Sequence, residues 1–305
     1  MTMNGQGAFA VMAGHGCDEQ GPFLLLNDRA LGRQVRFDVR GKTFSLKRGS
    51  TRRCIGRHDL ETHEKTPCPL DVELPLDSRE TACPACQKAT GFNPSFYNAD
   101  FVSPQQRAYN EMPHIVYLAY FAPSHVKAGI CGAHRGLGRL LEQGARAACI
   151  VGRFDDAYAA RDLEAALVGQ PGIVETMRAA KKEELLCERR YSFSEASEVL
   201  GRVASDLARE DRVTRAGFSA EAPLDLSSYY FGGPSPAFDE LQRVEGSDDV
   251  CGGHCVGMVG SSIVFEQGGA LFVVSLKDWD SWEVELVEGA VLHSYDFEPQ
   301  QMSLL

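Results

Sequence analysis

The chain has 305 residues, 44% of them hydrophobic and 24% charged, which excludes a disordered chain and leaves room for two or three small cores. No apolar run is long enough to span a bilayer, and the start "MTMNGQGAFAVMAGHGCDEQ" lacks the basic, then continuously apolar, pattern of a secretory signal. A cytoplasmic protein without a membrane partner is expected. The formal net charge of -11 disfavours a uniformly basic surface, but it is unevenly spread.

Residues 1–50 read as an N-terminal β region. From Phe23 to Leu46, "FLLLNDRALGRQVRFDVRGKTFSL" alternates apolar and polar residues and turns at "NDRALG" and "RGK". Residues 33–53 carry eight Lys or Arg against Asp38 alone. Such a run is a solvated face or a phosphate-contacting surface; Arg48, Arg52 and Arg53 are the candidates for the latter.

Residues 51–100 form a cysteine segment. Ten cysteines in a reducing compartment point to metal ligands before disulfides. Cys83 and Cys86 in "TACPACQK" offer two thiolates from one turn, and Cys54 and Cys68 complete a tetrahedron around a structural zinc, with His58 or His63 as a replacement for either. The segment has few apolar residues, so a metal would supply its folding energy. "GFNPSFYNADF" then reads as a loop.

Residues 105–190 predict strand, strand, helix, strand ("ARAACIVGRF") and helix ("AYAARDLEAALV"), followed by a helix over "GIVETMRAAKKEELL". Residues 191–305 begin with a helix over "SFSEASEVLGRVASDLARE", with a capping box at Ser192 and Glu195 and apolar Val199, Leu200, Val203 and Leu207. From Gly257 a β meander follows, turning at Gly268-Gly269 and expected to pair with the N-terminal strands. Residues 236–305 hold thirteen Asp and Glu against Arg243 and Lys277, which accounts for the whole net charge. Cys251, His254 and Cys255 in "CGGHCVG" form a second, weaker metal candidate. The fold class expected is α+β, with β-rich ends around a β-β-α-β-α core.

That core carries the chemistry. Residues 124–153 hold Lys127, Arg135, Arg139, Arg146 and Arg153 against Glu142, a second basic patch in which Arg135 is a phosphate candidate. Cys131, near Lys127 and Arg139, is a candidate reactive thiol with a lowered pKa. The order of "IVY" (Ile115, Val116, Tyr117), "KAG" (Lys127, Ala128, Gly129), Arg139 and Glu164 resembles the GIY-YIG nuclease superfamily. Ile-Val stands for the usual Gly-Ile, and Lys127 stands where a tyrosine is expected. The resemblance implies that Glu164 holds Mg or Mn, that Arg139 stabilises charge on a transferring phosphate, and that Tyr117 helps activate water. Lys127 would serve as a base with a lowered pKa or as a fixed cation.

The wider arrangement, from β N-terminus through scattered cysteines and "HIVYLA…KAGI…GRLLEQGA" to a β C-terminus near "GMVGSSIVF", resembles the bacterial domain-of-unknown-function family numbered 2797. The expectation is a metal-dependent phosphodiester-processing enzyme acting on DNA or RNA, with a structural zinc. Two alternatives stand beside it: a non-catalytic zinc-containing nucleic-acid-binding module, and the same core reused on a small-molecule metabolite.

Overall fold

The computed structural model describes residues 9–174, 176–188, 190–236, 241–244 and 249–295. The chain begins with an antiparallel run, β1 (Ala10–Asp18), β2 (Gly21–Asp28), β3 (Arg33–Asp38) and β4 (Thr43–Arg53). The cysteine segment follows as a short hairpin, β5 (Arg57–His58) and β6 (Lys65–Thr66), then β7 (Glu73–Leu74) and α1 (Pro84–Thr90). After α2 (Pro104–Asn110) come β8 (His114–Ala122), β9 (His125–Gly132), α3 (Gly136–Glu142), β10 (Ala147–Phe154) and α4 (Ala157–Leu167), in the order the sequence predicts.

The remainder runs β11 (Ile173–Val174), α5 (Ala179–Glu188), α6 (Phe193–Leu207), α7 (Asp211–Arg215), β12 (Leu224–Asp225), α8 (Ser227–Phe231), β13 (Leu241–Arg243), β14 (Val250–Val259), β15 (Ser262–Gln267), β16 (Ala270–Ser275) and β17 (Trp282–Glu288). The mixed α+β class holds, with eight α-helices among the described residues.

Three local expectations need correction. The helix over "GIVETMRAAKKEELL" starts only at Ala179, because Gly172 turns the chain at φ 83° and the β-branched pair Ile173–Val174 adds a parallel edge to β9. Ser192 sits at the N-cap of α6 but makes no side-chain capping bond, so the box with Glu195 is not formed. "CGGHCVG", expected as a second metal candidate, lies within β14, where buried Cys251 and Cys255 enter the core while His254 is exposed and meets Thr43 at 3.3 Å.

The strands form two main sheets. A ten-stranded sheet runs β13-β16-β15-β14-β4-β17-β1-β2-β3, with β7 added to β4. The C-terminal meander therefore pairs with the N-terminal strands, through β14 on β4 and β17 on both β4 and β1. A five-stranded sheet runs β11-β9-β8-β10-β12. On one side of it, Val116, Leu118 and Tyr120 pack with Leu163, Leu167 and Leu200 of α4 and α6. On the other, Ile115, Tyr117, Ala119 and Phe121 meet α3, α5 and Val259, Val264 and Val273 of the large sheet. Alternation along β8 thus builds two cores from one strand.

The pairing of chain ends explains the charge pattern. Arg48 meets Asp249 at 2.7 Å, and Arg53 meets Glu283 at 2.5 Å and Asp71 at 3.4 Å. Arg36 pairs with Asp18 and Asp38. Arg52 is buried at 7% exposure and donates to Ser281 Oγ at 2.7 Å, to the Glu80 carbonyl at 3.1 Å and to the Ser78 carbonyl. It ties the cysteine segment to the turn before β17. Of the C-terminal acids, Asp239, Glu240, Glu245, Asp248, Asp296 and Glu298 lie outside the described residues.

Candidate functional site

The four cysteines come from three places. Cys54 follows β4, Cys68 follows β6, and Cys83 and Cys86 open α1, where Pro84 occupies the first helical turn and leaves amides free to face thiolates. One ligand atom from each lies within 4.8 Å of all the others. Cys54 Sγ accepts from the Cys83 amide at 3.1 Å and from the Gly56 amide at 3.4 Å. Gly56 permits this knuckle: its φ is 99°, and a Cβ there would lie 2.0 Å from the Thr66 carbonyl oxygen. Four buried or half-buried sulfurs at this spacing have the donor set and compactness of a tetrahedral metal site. His58 and His63 are not part of it, and among the described residues Cys251, His254 and Cys255 form no such group.

His63 instead stacks on His134 with ring centroids 5.0 Å apart, and His134 lies just before α3. The cysteine segment thereby leans on the helix that carries Arg139. Burial, reinforced by Arg135 and His134, drives the His63 pKa down to about 4.

Tyr117, Lys127, Gly129 and Cys131 share one side of the β8–β9 hairpin, since Tyr117 pairs with Gly129, Ala119 with Lys127 and Ile115 with Cys131. Tyr117 lies flat across Gly129: a Cβ there would be 2.6 Å from the phenol oxygen, so glycine is what makes room for the ring. Burial pushes the Tyr117 pKa up to about 12, against a lowering by the nearby Arg139 guanidinium. Glu164, on the helix covering the opposite side of the sheet, also acts on this phenol, but its carboxylate is ion-paired with Arg161, which in turn reaches the Tyr97 hydroxyl at 3.1 Å.

Around Arg139 the charge is mostly positive. Glu142 accepts from Arg135 at 2.6 Å and lies 3.4 Å from Arg139. Burial disfavours its charge, but the two arginines outweigh that and hold its pKa low. Lys182 of α5 donates to the Gln143 carbonyl at 2.7 Å and sits over the Phe121 ring. Desolvation, with Lys127 and Arg139 adding repulsion, lowers its pKa to about 8. The Gln143 amide stands between Lys182 and Arg139, and turned over its oxygen accepts from both Arg139 terminal nitrogens at 3.0 and 3.1 Å. A single amide oxygen cannot serve both cations. Arg135 and Arg139 thus hold Glu142 between them, while Lys182 lies among further positive charge from Lys127 and Arg139.

A cleft of ≈ 280 Å³ opens beside these groups, lined by His15, Glu142, Gln143, Lys182, Ser261 and Ser262 among others. Its floor is tight, because Gly144 and Gly260 cross so closely that a Cβ on Gly144 would lie 3.2 Å from the Gly260 backbone. Of the sequence candidates, the structure joins Tyr117 to Arg139, sets Lys127 and Arg135 nearby and leaves Glu164 tied to Arg161. Arg48, Arg52 and Arg53 lie apart, engaged as described above. The Cys131 thiol is pushed up to about 11 by burial, more than Arg135 and Arg139 lower it, so the expected lowering does not occur. The sequence reading did not single out His15, Glu142, Gln143 or Lys182. The spacing of Arg135, Arg139 and Glu142 on one helical face was legible; Lys182 and His15 lie far away in the chain and give no local signal.

A family model described as "Protein of unknown function (DUF2797)" matches residues 102–284, which span the core, the cleft helices and most of the C-terminal sheet. No curated protein and no solved structure matches the chain.

Proposed function

The chain belongs to this family of unknown function, DUF2797, and from its own site we propose that it is a phosphodiester-processing enzyme with a GIY-YIG-like core and a structural zinc at Cys54, Cys68, Cys83 and Cys86. The observation that carries this reading is the Arg139 guanidinium beside the Tyr117 phenol of the β8–β9 hairpin, with Lys127 and Lys182 close by and Glu142 held between Arg135 and Arg139. The element order from β8 to α4 supports it as well.

In this reading Arg139 and Lys182 hold the non-bridging phosphate oxygens and offset charge that grows as the bond to the leaving group breaks. Gln143 turns its amide to whichever cation the phosphate leaves unserved. Lys127 stands where the superfamily has a tyrosine and adds a fixed cation. Tyr117, with a pKa near 12, stays protonated at neutral pH and donates a hydrogen bond rather than taking a proton. Glu164 fits a divalent cation poorly as it stands: Arg161 holds it, and no group of three or more possible ligands lies there among the described residues.

Nucleic acid is the proposed substrate class, through the Lys127, Arg135 and Arg139 cluster. One observation favours a second reading, a small phosphate-bearing molecule: Arg48, Arg52 and Arg53, which would track an extended backbone, are engaged with Asp249, Ser281 and Glu283. The test is turnover of single-stranded and duplex DNA, RNA and bis(p-nitrophenyl) phosphate, each with Mg and Mn titrated in. Cleavage of a polynucleotide with a steep fall in affinity on adding salt supports the first reading. Turnover of the small diester alone supports the second, and no turnover of any of them rejects both.

A further inference from the structure

Hydrolysis of a phosphodiester needs a group to take the proton of the attacking water, and the phenol and carboxylates nearest Arg139 do not provide one. Tyr117 is held protonated, Glu142 is locked between Arg135 and Arg139, and Glu164 is held by Arg161. His15 lines the same cleft as Glu142, Gln143 and Lys182. Its Nδ1 lies 3.4 Å from Asp280 Oδ1, and neither of these buried atoms has a hydrogen-bond partner among the described residues.

Two backbone irregularities converge on this pair. The register of β1 slips between Met12 and Gly14, so that His15 pairs with Leu24 and comes to the side of the sheet that Met12 occupies; plain alternation would turn it away. Gly14, at φ 144°, also leaves room for the Lys65 ammonium, which would lie 3.0 Å from a Cβ there. On the other side, Asp280 is followed by Ser281, a fully buried non-glycine residue at φ 72°. That conformation is disfavoured and persists only where its surroundings impose it. Here Arg52 donates to Ser281 Oγ from two nitrogens, the Ser281 amide donates to the Met12 carbonyl at 2.8 Å, and the Arg53 amide donates to the Ser281 carbonyl at 2.6 Å. The bulge aims His15 and the strained turn aims Asp280.

We propose that His15, oriented by Asp280, is the proton acceptor of the cleft, with a phosphodiester as the substrate class; this rests on the phosphodiester reading above. As the water oxygen bonds to phosphorus, His15 Nε2 takes its proton, the bond from phosphorus to the leaving oxygen breaks, and that oxygen receives a proton from the imidazolium or from solvent. Asp280 steadies the imidazolium through Nδ1–H, the role an aspartate plays beside a catalytic histidine. The charged groups facing His15 are Asp280, Lys65 of β6, Glu142 of α3 and Lys182 of α5.

The test uses the full chain and bis(p-nitrophenyl) phosphate. His15→Gln should lower turnover by about 10²-fold or more while orthophosphate binding stays within about threefold, a difference small against that loss. Imidazole added to His15→Ala should restore part of the rate. Asp280 is a positioning residue, so Asp280→Asn should shift the His15 ring between tautomers in nitrogen-detected NMR, a change that mere loosening of the fold would not produce. Orthophosphate titrated into the wild type should move the His15 ring resonances. If the wild type turns over the diester and His15→Gln matches it, the dyad is overturned and the phosphodiester reading stands. If nothing is turned over, the reading fails, and His15 resonances that ignore both phosphate and Asp280→Asn overturn the dyad independently.

Discussion

About one zinc per chain is the expected result of elemental analysis on purified protein, and Cys83→Ser should remove it together with the fold of residues 54–90. The cluster that holds this segment consists of Cys54, Leu74, Cys83 and Cys86, with Cys68, Val72 and Ala82 packed against it, so only two aliphatic side chains larger than alanine take part. Burial of that size is too small to offset the ordering of residues 54–90. A structural zinc site contributes an apparent folding free energy of about 10–16 kcal/mol, which so small a cluster does not supply by burial. Chelation should therefore release the segment as a unit and, with it, the stacking of His63 on His134 that buttresses α3. Circular dichroism and proteolysis of chelated protein check the consequence. A segment that stays protected with no metal bound would refute the assignment.

The second large effect concerns Arg139. Arg139→Ala should lower phosphodiester turnover by about 10²-fold or more, because its guanidinium acts on charge that develops in the transition state. Removing it also leaves Glu142 with Arg135 as its remaining arginine partner among those bonds and takes away the positive charge beside the Tyr117 phenol. Arg139→Lys separates these roles. It keeps the charge but loses the fork that addresses phenol, carboxylate and amide at once, so most of the loss should persist. Comparable turnover in wild type and both variants would show that the chemistry lies elsewhere.

How much of this was legible in the sequence depended on the distance over which each feature is built. The central strands and helices were readable because alternation along "HIVYLAYFA" and the helical periodicity of "AYAARDLEAAL" are local signals. The cysteine cluster was readable because a CxxC turn and two outlying cysteines are one chemical pattern. The strand Ala10–Asp18 was harder to see, since "MAGHG" looks like a loop until the bulge at Gly14 explains its glycines.

The charge pattern misled for a physical reason. Eight cations in residues 33–53 look like an external patch, yet partners of two of them, Asp249 and Glu283, come from about two hundred residues away, brought alongside by β14 and β17. Arg52 could not be told from its neighbours in sequence, although it is buried and spends its donors on carbonyls and Ser281. The same long-range pairing hid His15 and Asp280, two residues with no sequence relation until β1 and β17 lie side by side. Lys182 entered the cleft only because α5 packs against β8.

A phosphate site formed by the cations around Arg139 is tested most directly by calorimetric titration of orthophosphate into the protein at low ionic strength. One site per chain is expected, with an affinity that falls with added salt and a clear loss in both Arg139→Ala and Lys182→Ala. Absence of binding, or binding that neither substitution weakens, would contradict it.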